Sequence, residues 1–186
     1  IHTNFKLTQT KGNEFIMLSD AANILQDSIL VLPNQKSHTR GRETDGSTNW
    51  SVFTTGTPNT SNTGGMEEYA TTPLFSQVGG YNSAAVNLTL SSPDPNITIY
   101  YTTNGDEPNS NSTLYSSPIN ITSTTVVKAV AYSSASNIPP SFIDYHTFFI
   151  NETHTIPILS ISGDDGQNGL TDLLDGGWGS SSLEPE

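Results

Sequence analysis

The feature that most constrains this chain is how its apolar residues are spaced. They fall in short clusters cut apart by Thr, Ser, Asn, Gly and Pro, and nowhere recur at the interval of a long amphipathic helix. Within the clusters the spacing is two. Val86, Leu88 and Leu90 share one face of AAVNLTLS, and Ile97, Ile99 and Tyr101 share one face of NITIYYTT. In TTVVKAVAYS, Val127, Ala129 and Ala131 lie on one side, with Val126, Lys128 and Val130 on the other, and SFIDYHTFFI closes the set. Such strands, with turn residues at short intervals, predict an all-β chain whose region 73–150 is a two-sheet β-sandwich. Its expected core is Val86, Leu88, Leu90, Ile97, Ile99 and Val127.

Upstream, FKLTQT, EFIMLSD and ILQDSILVL read as strands parted by KGN and AAN, a small antiparallel meander. Its apolar face would carry Phe5, Leu7, Ile16, Leu18, Ile29 and Val31. On its own that is half a sandwich, which needs upstream strands or another chain to cover it. A polar loop is expected next, in which Arg40, Arg42, Asp45 and Gly46 precede Trp50 and Phe53, two aromatics that require an apolar seat. The stretch TTGTPNTSNTGGMEEYATT reads as a linker, with a boundary near residue 66. The predicted organisation is therefore a partial sandwich over 1–66, a linker over 67–72, a sandwich over 73–150, and a connection toward a further domain over 151–186.

Charge and composition remove whole classes of function. Six Lys and Arg stand against 18 Asp and Glu, a formal charge of -12, so a nucleic acid would be repelled. Without cysteine there are no disulfides, thiolate nucleophiles or Cys-based zinc sites. No run approaches the roughly 20 apolar residues of a membrane helix. The chain begins at Ile1 with no signal peptide ahead of its first strand, which is expected of a mature or excised fragment whose export signal lay upstream.

Catalytic patterns are missing as well. His2, His38, His146 and His154 lack the spacing and carboxylate company of a zinc site, and no Ser sits in a G-x-S-x-G elbow. Glu67 and Glu68 fall in the predicted linker, where nothing would raise one of their pKa values for acid catalysis. The chain is expected not to be an enzyme and to need no cofactor. Two binding candidates remain. Asp164, Asp165 and Asp172, with Asn168 and Asp175, are hard oxygen ligands among glycines and form a calcium candidate, although they miss the D-x-[DN]-x-[DN]-G register. Tyr100, Asp106 and Glu107 form a carbohydrate or calcium candidate beside the turn YTTNGDEPNSNSTLY. The same turn has a purely structural reading: Asn104 and Gly105 can adopt positive φ, Pro108 stiffens the exit, and Tyr101 and Tyr115 can pack across the strands. Sequons at Asn49, Asn59, Asn87, Asn96, Asn111, Asn120 and Asn151 would carry glycans only in a eukaryotic secretory route.

Three resemblances rest on the residues of this chain. HTNFKLTQTKGNEFIMLSD through DSI, GRETDGSTNW and TPNTSN resembles the second half of a lamin tail domain, which implies an immunoglobulin-like sandwich. PLFSQVGGYNSAAVNLTLS, ITIYYTTNGDEPNSNSTLYSSPINI and TTVVKAVAY resemble the C-terminal domain of chitobiase and β-hexosaminidase, which implies a fibronectin-III-like sandwich. There the family usually reads YTTDGSEP, and Asn104 and Asp106 depart from it conservatively. HTIPILSIS resembles the lead-in to a CotH-like kinase domain in bacterial exoproteins. Together these imply tandem immunoglobulin- and fibronectin-III-like modules, extracellular or at the cell surface, that serve as a structural or adhesive segment. Expected partners are other domains of the same polypeptide, neighbouring subunits or glycans. The alternatives are a carbohydrate-binding accessory module, for which Trp50, Tyr81, Tyr100, Tyr115 and Tyr132 are candidate contacts, and the leading part of a CotH-like kinase protein.

Overall fold

The structure, a computed structural model, describes residue 12 and residues 14–153, and every regular element in them is a strand. The chain is all-β, as its apolar spacing predicts. β1 (Glu14–Ser19) and β2 (Leu25–Val31) form an antiparallel hairpin. Asp20 builds its turn: one carboxylate oxygen accepts the amides of Ala22 and Ile24, both at 2.9 Å, while Asn23 supplies the left-handed residue at φ 61°. The expected AAN turn is thus an Asp-capped loop.

β3 (Thr39–Arg42) and β4 (Trp50–Phe53) form a second hairpin, where the sequence was read as a polar loop. The reason is local. Arg42 sits opposite Trp50, its guanidinium 5.3 Å from the indole centroid and 2.6 Å from the Asp27 carboxylate, and Val52 and Phe53 are buried behind them. Each arginine of β3 thus faces an apolar residue of β4 across the ladder, Arg42 with Trp50 and Arg40 with Val52. Phe53 finds the seat its size demands, whereas Trp50 stays 40% exposed under Arg42.

Nine further strands follow: β5 (Leu74–Phe75), β6 (Gly80–Asn82), β7 (Val86–Leu88), β8 (Leu90–Ser91), β9 (Ile97–Thr102), β10 (Thr113–Leu114), β11 (Ile119–Ile121), β12 (Thr125–Ser133) and β13 (Asp144–Ile150). One five-stranded sheet has the order β10-β9-β12-β13-β6, antiparallel except for the parallel pair β13 and β6. Against it lie two short pairs, β11 with β7 and β5 with β8. The core between them joins Val86, Leu88, Leu90 and Ile121 to Ile99, Val127, Ala129, Phe148 and Ile150, with Ile97 packed at its margin. Five of the six residues expected there are in the buried core, and Ile97 flanks it.

One glycine is fixed by packing. A Cβ on Gly79 would come within 2.5 Å of the Thr147 carbonyl oxygen, so the chain entering β6 lies directly on the backbone of β13. That close approach lets two segments remote in sequence meet as a parallel pair, and a side chain would hold them apart.

The outer face of the five-stranded sheet is not open. Lys128 and Val130, expected to point away from the core, are 6% and 3% exposed. Residues 67–72, predicted to be linker, and the residues on either side of them run in contact with the rest of the molecule. Ala70 and Pro73 are buried, Met66 exchanges backbone hydrogen bonds with Val52, and Glu67 and Ala70 donate their amides to the carbonyls of Asn137 and Pro139. Composition alone suggested free chain, but backbone groups need no side-chain hydrophobicity to pair with a neighbouring loop.

Candidate functional site

The turn that carries the predicted carbohydrate residues is held together by its own polar groups. Asn104 Nδ2 donates to Asp106 Oδ2 at 2.5 Å, Asp106 N donates to Asn104 Oδ1 at 3.2 Å, and Thr102 Oγ1 donates to the Asp106 carbonyl at 2.6 Å. Of the two residues expected to take positive φ only Gly105 does, at 88°, and Pro108 is buried. Tyr101 and Tyr115 meet edge to face at 6.3 Å, as the structural reading of the turn requires. Tyr100 is half-buried on the outer face of the sheet, edge-on to Tyr132 at 5.6 Å, while Asp106 and Glu107 are exposed. The Asp106 carboxylate thus has an internal partner, and its first role is to shape the turn.

Asp164, Asp165 and Asp172 lie outside the described residues, as do His2 and His154. Among the described residues no group of three or more His, Asp and Glu side chains is arranged to hold a metal ion. His146 faces the core from β13. Its Nδ1 accepts the Gly79 amide at 3.2 Å, and its ring stands edge-on to Phe75 at 4.7 Å. Because a backbone N–H can only donate, the ring proton sits on Nε2, toward Asp144 3.9 Å away. This histidine anchors the chain before β6.

A polar cluster among the described residues lies where sequence reasoning placed a loop and a linker. Tyr69 is its node. The hydroxyl accepts the Gln35 amide at 3.2 Å and lies 2.9 Å from His38 Nδ1, and its ring packs against Phe142 at 4.9 Å. Gln35 also reaches across with its side chain, donating Nε2 to the carbonyls of Pro140 and Ser141 at 2.8 and 2.9 Å. Arg40 lies over the Tyr69 ring at 5.6 Å and forks onto both carboxylate oxygens of Glu68 at 2.5 and 2.7 Å. The Arg40 hydrogen bond holds the Glu68 carboxyl below the ordinary glutamate range, burial lowers His38, and burial raises Tyr69. Three segments far apart in sequence, 35–40, 67–70 and 137–142, are tied here by side-chain and backbone hydrogen bonds.

A second exposed feature lies at the edge of the five-stranded sheet. Tyr81 is 56% exposed and stacks on Phe149 with centroids 4.8 Å apart and planes inclined by 19°. One face of an aromatic ring is thereby backed by another, while Asn82, the next residue of β6, turns its side chain to the opposite face and accepts Gln77 Nε2 at 3.3 Å.

Residues 77–141 match the chitobiase/beta-hexosaminidase C-terminal domain. The match runs from just before β6 through β12 and includes the YTTNGDEP turn, but ends ahead of β13, which supplies Phe148 and Ile150 to the same core. It agrees with the immunoglobulin-like sandwich observed and names an accessory module of carbohydrate-active enzymes, compatible with a segment that does no chemistry of its own. No curated protein and no solved structure matches the chain. Tyr69, Gln35 and His38 fall outside the matched residues. The signal that could have found them is an aromatic residue in a stretch otherwise built of Gly, Thr, Asn and Glu: a tyrosine there needs a seat.

Proposed function

We propose that this chain is a non-catalytic structural or adhesive segment of a larger secreted or cell-surface protein, with residues 1–66 forming the second half of a lamin-tail-like sandwich. The observation that carries this reading is the packed junction. Glu67, Ala70 and Gln35 tie the upstream strands to the 137–141 loop of the sandwich by hydrogen bonds of 2.8–2.9 Å. A spacer must hold its neighbours at a fixed separation, and a bonded junction does so where a free linker would not. Solution scattering of the purified chain tests it. One set of dimensions, unchanged from low to moderate salt, is expected; a distribution of separations between the upstream strands and the sandwich would overturn the spacer reading. Assay of the same protein for chitobiose, hexosaminide and ATP turnover completes the test. Turnover that Asp106→Ala or His146→Ala abolishes would make the chain an enzyme.

The exposed Tyr81 ring on Phe149 favours one second reading, a glycan-binding accessory module. A flat aromatic ring backed by a second one can stack a sugar ring. Binding on a glycan array that is lost in Tyr81→Ala and kept in Tyr100→Phe would establish it.

A further inference from the structure

We infer that the Gln35–His38–Tyr69 knot is a pH-sensitive latch, which fastens the 137–142 loop of the sandwich to the upstream strands while His38 is neutral and releases it when His38 gains a proton. The argument follows the single hydroxyl proton of Tyr69. Its oxygen already accepts the Gln35 amide, and His38 Nδ1 lies within hydrogen-bond distance as well, at 2.9 Å. The arrangement that satisfies all three groups has Tyr69 donating to an unprotonated Nδ1, with the imidazole proton on Nε2. A second proton on His38 makes Nδ1 a donor. Two N–H groups then point at one phenol oxygen, and the phenol proton loses its acceptor.

The surroundings sharpen the response. Arg40, over the Tyr69 ring, repels an imidazolium; Glu68 would attract one but is engaged by the Arg40 fork, and Lys36 shares the histidine's own loop. Residues 139–142, which close over the cluster, bring no titratable side chain. Burial favours the neutral ring as well, holding the His38 pKa below 6.5. The sign follows from linkage. The native state binds fewer protons at His38 than the unfolded chain does, so the latch is fully fastened above pH 6.5. It weakens as the pH falls through that value toward the lower native one.

The amides of Gln35, Glu67 and Ala70 report the latch, because they donate to Tyr69 Oη, the Asn137 carbonyl and the Pro139 carbonyl. Amide hydrogen exchange of the whole chain, corrected for intrinsic pH dependence, is compared at about pH 7.5 and about pH 5.5, on either side of the ordinary histidine range. Protection of these three amides is expected to fall severalfold at the lower pH, with about tenfold as the most that one proton can supply there, while Val127 and Ala129 in the core keep theirs. Tyr69→Phe, which keeps the ring contacts, should expose the three amides equally at both pH values. His38→Gln, whose amide oxygen can accept from Tyr69 but does not titrate, should keep them protected at both. Protection that is unchanged in the parent, that falls equally in the core, or that remains pH-dependent in His38→Gln would overturn the latch.

Discussion

The β1–β2 hairpin and the sandwich built from β5 to β13 are made of similar residues and end in opposite conditions. In the sandwich each strand gives its apolar face to a second layer, and Leu88, Val127, Ala129 and Phe148 are wholly buried. In the hairpin, Phe15, Met17 and Leu18 are 57–65% exposed, and Ile16, Ile24 and Leu25 are 40–60% exposed. Phe15 and Met17 lie on one face, Ile16 and Leu18 on the other. The hairpin is thus apolar on both sides, as a strand pair destined for an interior would be, whereas the sandwich lays the apolar faces of its sheets against each other. Strand pairing alone buries little; stabilisation comes from what the sheet is laid against.

The largest test of that contrast is a set of three truncations, two in the core and one in the hairpin. Phe148→Ala should lower unfolding stability by about 3–5 kcal/mol, and Ile99→Ala by about 2–5 kcal/mol, because each leaves a cavity in the core. Phe15→Ala should change it by less than about 0.5 kcal/mol while reducing self-association at high concentration. Chemical denaturation followed by tryptophan fluorescence and circular dichroism reads both. A large loss in Phe15→Ala would mean that the hairpin is covered in solution.

A smaller effect is expected where backbone meets backbone. Gly79→Ala drives a Cβ against the Thr147 carbonyl, and should cost about 1–3 kcal/mol as the chain before β6 is pushed off β13. The hydrogen bond from residue 79 N–H to His146 should weaken with it, visible as a shift of the His146 ring resonances.

Next comes the ion pair at the junction. Glu68 has its native pKa lowered by the Arg40 hydrogen bond, so its contribution is present above the ordinary glutamate value of 4.5 and lost as pH falls toward the native one. With the Glu68 side chain 56% exposed the contribution is about 1 kcal/mol or less. Arg40→Gln should remove it and flatten the acid limb of a stability–pH curve near that range. An unchanged acid limb would place the acid sensitivity elsewhere.

The smallest effect is at Glu67. Its side chain accepts Asn137 Nδ2 at 2.7 Å from an exposed position, so Glu67→Ala should cost about 0.5 kcal/mol, since the backbone bond from Glu67 N to Asn137 O survives the substitution. A loss comparable to that of a core truncation would make the junction, rather than the sandwich, the main source of cohesion.

The sequence by itself determined the all-β class and most of the sandwich core, because burial at every second residue leaves a pattern that needs no partner to be read: Val86, Leu88, Leu90, Ile99 and Val127 carry it plainly. It also marked the tight turn at Gly105 and the excess of uncovered apolar surface upstream. Tertiary structure alone decided the rest. Phe148 and Ile150 join the core because β13 pairs with both β12 and β6, and Gly79 matters only because β13 runs beneath it. Lys128 is buried although the alternation of β12 turns it away from the core, since what covers the outer face is distant in sequence. The junction cluster was hidden for the same reason. Gln35, His38 and Tyr69 are polar or isolated residues in stretches of loop-like composition, and a hydrogen bond between residues about 30 to 100 positions apart leaves no periodicity in the chain that makes it.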